Sequence, residues 1–210
     1  MAAWNTGKVV GQKQWNDRLF SLLVDAEIEP YEAGQFAKLG LEVDGQIIGR
    51  PYSLVNAPDR RPLEFYYIHV PDGPFTNQLV KLQQGDSILI SPRANGFMVL
   101  DEVPQSRHLW LIATGTGVGP FLAMLDTQKP WQRFEKVVLV YAVRTHSELS
   151  YQERIANVRT LHTEQFIYVP FISREVSDFA MPGRIPDAIV DQRLETRAGL
   201  LLSADNSQVM

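Results

Sequence analysis

An antiparallel β-barrel followed by a parallel-sheet α/β domain is the two-domain architecture this sequence predicts, and three observations carry it. Short β-type segments separated by turn residues fill the first hundred positions. After about residue 103, uninterrupted apolar runs alternate with amphipathic helical stripes, the pattern of a parallel sheet covered on both faces. Between the two, Asp101, Glu102, Pro104 and Gln105 break the apolar pattern, so the expected division is 1–103 and 104–210.

In chain order, Leu19 to Val24, Phe36 to Val43, Tyr52 to Val55, Leu63 to Val70 and Ser87 to Ser91 are rich in β-branched and aromatic residues and read as strands. Pro30, Gly34, Asp44-Gly45, Pro58-Asp59, Asp72-Gly73 and Gly85-Asp86 supply the turns, and a short helix is expected over Phe75 to Leu82. Beyond the seam, Leu109 to Ala113 predicts a buried strand, then a glycine-rich turn, then a helix from Val118 to about Asp126. Val137 to Val143 is a second such strand, followed by a helical stripe at Tyr151, Ile155, Val158 and Leu161. Phe166 to Ile172 is a third, and Ile185, Ile189, Val190 and Leu194 suggest one more helix. Gln208-Val209-Met210, after a turn at Asp205-Asn206, reads as the start of a fourth strand.

Composition bounds the chemistry. At 210 residues and 45% apolar, the chain can build a sizeable core without covalent staples. It has no cysteine, which excludes a disulfide framework, a thiolate metal site and a cysteine nucleophile. A formal charge of -4 argues against a nucleic-acid or anionic-membrane partner. The first twenty residues hold no apolar export-signal core, and the longest aliphatic runs, 109–113 and 137–143, are far below the ~18 residues a membrane span needs. A cytoplasmic protein is the expectation. His69, His108, His146 and His162 show no metal-ligand spacing, so no metal site is expected.

The residues able to carry chemistry cluster at three places. Thr114-Gly115-Thr116-Gly117-Val118-Gly119-Pro120 joins a strand to a helix, where free backbone N–H groups and the helix dipole favour phosphate. A plain tight turn would read the same way, since the dinucleotide fingerprint wants its third glycine where Pro120 stands. At the end of the second parallel strand, where an acid usually reads an unphosphorylated ribose, stands Arg144. The third strand ends at Ser173-Arg174, and Arg184 follows Gly183. Three guanidiniums at one sheet edge suit a 2′-phosphate, so NADP(H) is favoured over NAD. In the barrel, Arg50-Pro51-Tyr52-Ser53 opens a strand on which Arg50 and Tyr52 share one face and Ser53 takes the other. Asp72-Gly73-Pro74-Phe75-Thr76 leads into the short helix, with Thr76 placed to cap it or to donate to a phosphate.

In this order and spacing the motifs resemble the ferredoxin–NADP reductase family, with a close match to the bacterial ferredoxin/flavodoxin type, over essentially the whole chain. Arg50-Pro51-Tyr52-Ser53 is similar to the family's R-x-Y-S flavin motif, and Gly73-Pro74-Phe75-Thr76 to its pyrophosphate turn. Gly115-Thr116-Gly117-Val118-Gly119-Pro120 is similar to its G-T-G-x-x-P turn, with Gly119 where alanine is common. The resemblance implies an FAD-binding barrel over 1–103 and an NADP-binding α/β domain over 104–210. Tyr52 would stack on the isoalloxazine, Arg50 would pair with the FAD pyrophosphate, and Ser53 would lie near flavin N5. Tyr67 would contribute from the neighbouring strand, and Pro74, Phe75 and Thr76 would hold phosphate. Thr116 would meet the flavin–nicotinamide junction, while Arg144, Ser173, Arg174 and Arg184 would hold the NADP 2′-phosphate.

The implied activity is electron transfer between NADP(H) and ferredoxin or flavodoxin through FAD, with Tyr52 and Ser53 at the reacting ring. The rival expectations are a flavin reductase serving an oxygenase and a non-catalytic flavin- or nucleotide-binding fragment. The family pattern runs on past Met210, through the rest of the fourth strand, a C-G-N-P-like turn, a helix and an aromatic residue covering the second flavin face. The corresponding expectation is that these 210 residues retain FAD, transfer hydride poorly and associate through the sheet edge, whereas a longer natural chain would be a monomeric reductase.

Overall fold

The computed structural model describes residues 3–210. The first sheet is built from β1 (Asn5–Gln14), β2 (Leu19–Asp25), β3 (Phe36–Val43), β4 (Gln46–Ser53), β5 (Leu63–Ile68) and, after the one-turn helix α1 (Thr76–Leu79), β6 (Ser87–Ile90). Its strands are antiparallel in the order β4-β3-β6-β1-β2-β5. The two edges meet just past β4, where Leu54 bridges Phe65 and the Val55 N–H donates to the Glu64 carbonyl at 3.0 Å. That contact curls the sheet into a barrel and removes an exposed edge.

The second sheet holds β7 (His108–Thr114), followed by the helices α2 (Val118–Leu125) and α3 (Lys129–Arg133), then β8 (Lys136–Val143), α4 (Gln152–Leu161) and β9 (Phe166–Ile172). The short strand β10 (Met181–Pro182), the helices α5 (Ile185–Val190) and α6 (Arg193–Ala198), and β11 (Ser207–Val209) complete it. All pairings are parallel, in the order β10-β9-β8-β7-β11. The fourth-strand expectation at the C-terminus is met: β11 pairs His108 to Trp110, and the Met210 backbone extends the ladder to Ile112.

Alternation sorts the second sheet's side chains into two cores. Leu109, Leu111, Val137, Leu139 and Tyr141 face one side, together with Phe121, Leu122 and Leu125 of α2. Trp110, Val138, Val140, Val169 and Phe171 face the other, against Ile185, Ala188 and Leu194. The first of these clusters also takes in Leu19, Val55 and Tyr66 from the barrel, so the seam between the sheets is itself apolar core.

Several expectations need correction. β1 was not foreseen, because Gly7, Lys8, Gly11 and Lys13 interrupt its apolar pattern, yet it lies inside the sheet between β6 and β2. A register shift between Val9 and Gly11 accounts for the broken alternation. The strand expected over Tyr52 to Val55 ends at Ser53 and begins at Gln46, since it is the return arm of a tight hairpin at Asp44-Gly45. The short helix spans Thr76 to Leu79 only. The last helix is two, broken at Gln192, whose φ is 59°. Leu161, expected on a buried stripe, is 78% exposed because α4 ends there.

Candidate functional site

A cleft of about 480 Å3 opens at the carboxyl ends of β7, β8 and β9. Its sheet side is formed by Thr114, Gly115, Thr116, Arg144, Glu148, Ser173 and Arg184; its barrel side is Leu19 and Ile68, a cross-strand pair of β2 and β5. Ligands of open α/β sheets sit at this place, beyond the strand ends. The turn that opens the cleft floor needs its glycine at 115, where φ is 52°. A Cβ at Gly115 or Gly117 would meet nothing within 4 Å, so backbone is open to a ligand on that side.

Gly119 has another use. A Cβ there would come within 3.3 Å of the Val55 side chain, so this small residue lets α2 approach the barrel rather than a ligand.

The structure brings three of the four expected 2′-phosphate residues together: Arg144, Ser173 and Arg184 line the cleft. Arg174 does not, although its N–H donates to the Arg144 carbonyl at 2.8 Å and keeps the two strand ends side by side. Arg93, Arg107, Arg154 and Arg193 are all ion-paired, whereas among the described residues Arg144, Arg174 and Arg184 have no carboxylate partner. Exposed guanidiniums converging on a cleft without a counter-ion are suited to an anionic ligand. Glu148 was missed by sequence reasoning. Its Oε2 accepts the Arg144 N–H at 2.8 Å, which fixes the turn that presents the arginine.

On the barrel, β3 and β4 pair without a break from Phe36–Ser53 to Val43–Gln46. Arg50 and Tyr52 therefore share a face, as expected, with Leu39 and Ala37 as their cross-strand partners. Arg50 is exposed and, among the described residues, its guanidinium donates only to the Gly49 carbonyl, at 3.0 Å. Tyr52 is half-buried, lying 5.9 Å from Phe75 in a stacked arrangement and edge-on to Tyr67 at 6.2 Å. Burial pushes the Tyr52 hydroxyl up to about 12, against the opposing pull of Arg50, so the ring is neutral over the physiological range. Ser53, half-buried, closes the strand.

Two barrel residues sit differently from the expectation. Tyr67 is 1% exposed, with its hydroxyl donating to Gln12 Oε1 at 2.6 Å, so it braces Tyr52 from the barrel core. Its neighbour Tyr66 faces the seam instead. Thr76 does not cap α1: Phe75 occupies the cap position, and Thr76 Oγ1 accepts from the Val70 N–H and donates to the Val70 carbonyl, each at 3.1 Å. Pro74 is exposed and Phe75 is buried beneath Tyr52.

A barrel that carries an exposed arginine and a half-buried tyrosine on one face of β4, joined across an apolar seam to a parallel sheet with an anion-ready cleft, fits a nucleotide-dependent oxidoreductase of two-domain type. A family model for an oxidoreductase NAD-binding domain matches residues 111–210. Over 210 residues the chain is 43% identical to the flavodoxin/ferredoxin–NADP reductase of Escherichia coli (strain K12), spanning 100% of this chain and 85% of that protein. It is 37% identical over 203 residues to the ferredoxin–NADP reductase of Pseudomonas aeruginosa (strain PAO1), spanning 93% and 78%. Among solved structures, a ferredoxin NADP+ reductase from Neisseria gonorrhoeae with bound FAD and NADP matches with a TM-score of 0.91 at 29% identity, spanning 100% and 85%. The chain belongs to the flavodoxin/ferredoxin–NADP reductase family.

Proposed function

We propose that this protein is an FAD-containing reductase that moves electrons between NADP(H) and ferredoxin or flavodoxin. One observation carries the coenzyme half: Arg144 and Arg184, free of carboxylate partners among the described residues, face a cleft whose opposite wall belongs to the barrel. The names of its relatives support the reaction, and the barrel's Arg50 and Tyr52 fit a flavin dinucleotide. When bound, FAD would exchange a hydride with the nicotinamide and single electrons with the protein carrier.

In this reading, residues 1–103 hold FAD and 104–210 hold NADP(H). Arg144, Arg184 and the Ser173 hydroxyl would bind the 2′-phosphate, with the exposed, permanently charged Arg174 guanidinium contributing from beside them. Arg50 would bind the FAD pyrophosphate. The Pro74 to Thr76 turn would add the backbone N–H groups of Phe75 and Thr76, because the Thr76 hydroxyl is committed to Val70. Tyr52, neutral and braced by Phe75 and Tyr67, would present a ring face to the isoalloxazine, with Ser53 beside it. Leu19 and Ile68 line the barrel wall with apolar surface and exclude water where Thr116 meets it. The proposal extends to action in the cytoplasm and, where the full-length chain is intact, to a monomer. No helix among the described residues is long and apolar enough to cross a membrane.

FAD rather than FMN follows from two separated phosphate contacts, Arg50 and the 74–76 turn. Arg50→Ala should lower FAD retention through purification by about ten-fold, the loss of one charge-assisted contact of roughly 1.5 kcal/mol. Mass spectrometry of the released flavin checks both statements, and FMN as the bound species would refute the assignment. The catalytic reading is tested by adding NADPH anaerobically to the FAD-loaded protein and watching for loss of the oxidised-flavin absorbance.

A further inference from the structure

The face of β2 and β5 turned away from the barrel core carries three successive cross-strand pairs, Leu19–Ile68, Ser21–Tyr66 and Leu23–Glu64. The first pair lines the coenzyme cleft. The second and third hold a segment of the other domain by a directed chain of hydrogen bonds. Trp15 Nε1 donates to Ser21 Oγ at 2.8 Å, the Ser21 hydroxyl lies 2.6 Å from Tyr151 Oη, and Tyr151 Oη donates to Glu64 Oε1 at 2.6 Å. With the Tyr151 proton given to Glu64, the Ser21 proton goes to Tyr151, so each hydroxyl both donates and accepts. Tyr66 Oη adds a bond to Ser150 Oγ at 2.8 Å.

Tyr151 is 5% exposed, 4.4 Å from the Trp15 ring and edge-on to Tyr66 at 5.1 Å. Burial, followed by the nearby Glu64 carboxylate, drives its hydroxyl well above the ordinary tyrosine range, so the proton stays in place. The backbone at Tyr151 is left-handed, with φ 62°, a conformation a bulky side chain keeps only where its surroundings hold it.

The same segment reaches the coenzyme site. Glu148, three residues earlier, binds the Arg144 N–H through Oε2 and itself lines the cleft. Its carbonyl accepts from Tyr141 Oη at 3.1 Å and from the Ser150 N–H at 2.9 Å. Residues 144 to 151 thus form a strap with a coenzyme-site arginine at one end and a bolt into the barrel at the other.

We propose that Tyr151, held by Ser21 and Glu64, is a positioning residue for the redox reaction: it sets where the Arg144 end of the coenzyme cleft stands over the Leu19–Ile68 face of the barrel. The inference rests on the reading of the barrel as flavin domain and the sheet as coenzyme domain. Its physical basis is the steep dependence of transfer on alignment, where a shift of about 1 Å costs on the order of a hundred-fold. The apolar cluster through Leu19, Val55 and Tyr66 already holds the domains together, so the hydroxyl contributes direction rather than adhesion.

Tyr151→Phe removes that hydroxyl and keeps the ring. In the FAD-loaded protein, anaerobic stopped-flow reduction by NADPH should slow by about ten-fold or more. The NADP+ dissociation constant should stay within about two-fold, and the deuterium isotope effect with 4-deuterated NADPH should rise as transfer becomes rate-limiting. Ser21→Ala should show the same split, and the double variant should be no slower than the worse single one, as for groups acting as one unit. If Tyr151→Phe does not fold, the Ser21→Ala rates decide alone. Unchanged reduction rates, or a rate loss matched by an equal loss of NADP+ affinity, overturn the proposal, as does a lowered melting temperature with a normal rate. A wild-type protein that NADPH does not reduce at all would instead sink the functional reading on which the proposal stands.

Discussion

Arg144→Ala is expected to weaken NADPH binding by about 1.5–3 kcal/mol, roughly ten- to more than a hundred-fold, while leaving NADH nearly unchanged. The side chain is exposed on the cleft and has no carboxylate partner among the described residues, so its removal breaks no ion pair of the folded protein. The backbone turn survives, because Glu148 holds the Arg144 N–H and not its guanidinium. The loss therefore falls on whatever anion the guanidinium meets, and only NADPH carries a phosphate there. Arg184→Ala should behave alike, and Arg174→Ala less strongly, since Arg174 does not line the cleft. Parallel titrations of each variant with the two coenzymes give the answer; equal losses for both would show that the arginines do not read the 2′-phosphate.

Gly34→Ala should be the most damaging small substitution in the chain. Gly34 has φ 107°, and a Cβ there would collide with the Met98 carbonyl oxygen and lie 2.5 Å from Met124 Cε. The methionine side chain can move, but the carbonyl belongs to backbone. The unfavourable conformation and the overpacking each cost about 1–3 kcal/mol. Against a total stability of roughly 5–15 kcal/mol, the variant should lose a large share of its resistance to urea. Met124 lies on α2, so the damage also reaches the helix that follows the coenzyme turn. A urea midpoint within error of wild type would mean that the backbone near Gly34 accommodates a side chain freely.

The parallel sheet was legible because its strands are buried on both faces and write themselves as continuous apolar runs; Leu109 to Ala113, Val137 to Val143 and Phe166 to Ile172 fall inside the observed strands. β1 was not, because glycine and lysine alternate with its few apolar residues and its register shifts midway. Strand ends and the Gly183 turn pointed to Arg144, Ser173 and Arg184, which the structure brings to one cleft, and period-two geometry put Arg50 and Tyr52 on one face of β4, but their ligand roles came from the family resemblance. Tyr67 was expected at the flavin from the resemblance alone, although the strand carries a signal that sorts it from Tyr66. Leu63, Phe65 and Tyr67 alternate into the barrel core, which leaves Tyr66 for the seam. The Ser150–Tyr151 bolt had none: its partners Tyr66, Ser21 and Glu64 lie far away in sequence, and nothing local announces a left-handed tyrosine.

The most direct test of the account is an anaerobic titration of the FAD-loaded protein with NADPH and, separately, NADH, followed by flavin absorbance. The account predicts that NADPH bleaches the oxidised flavin at concentrations at least about ten-fold lower than NADH, the ratio expected when one charge-assisted contact separates the coenzymes. Bleaching by both at the same concentration, or by neither, would contradict it.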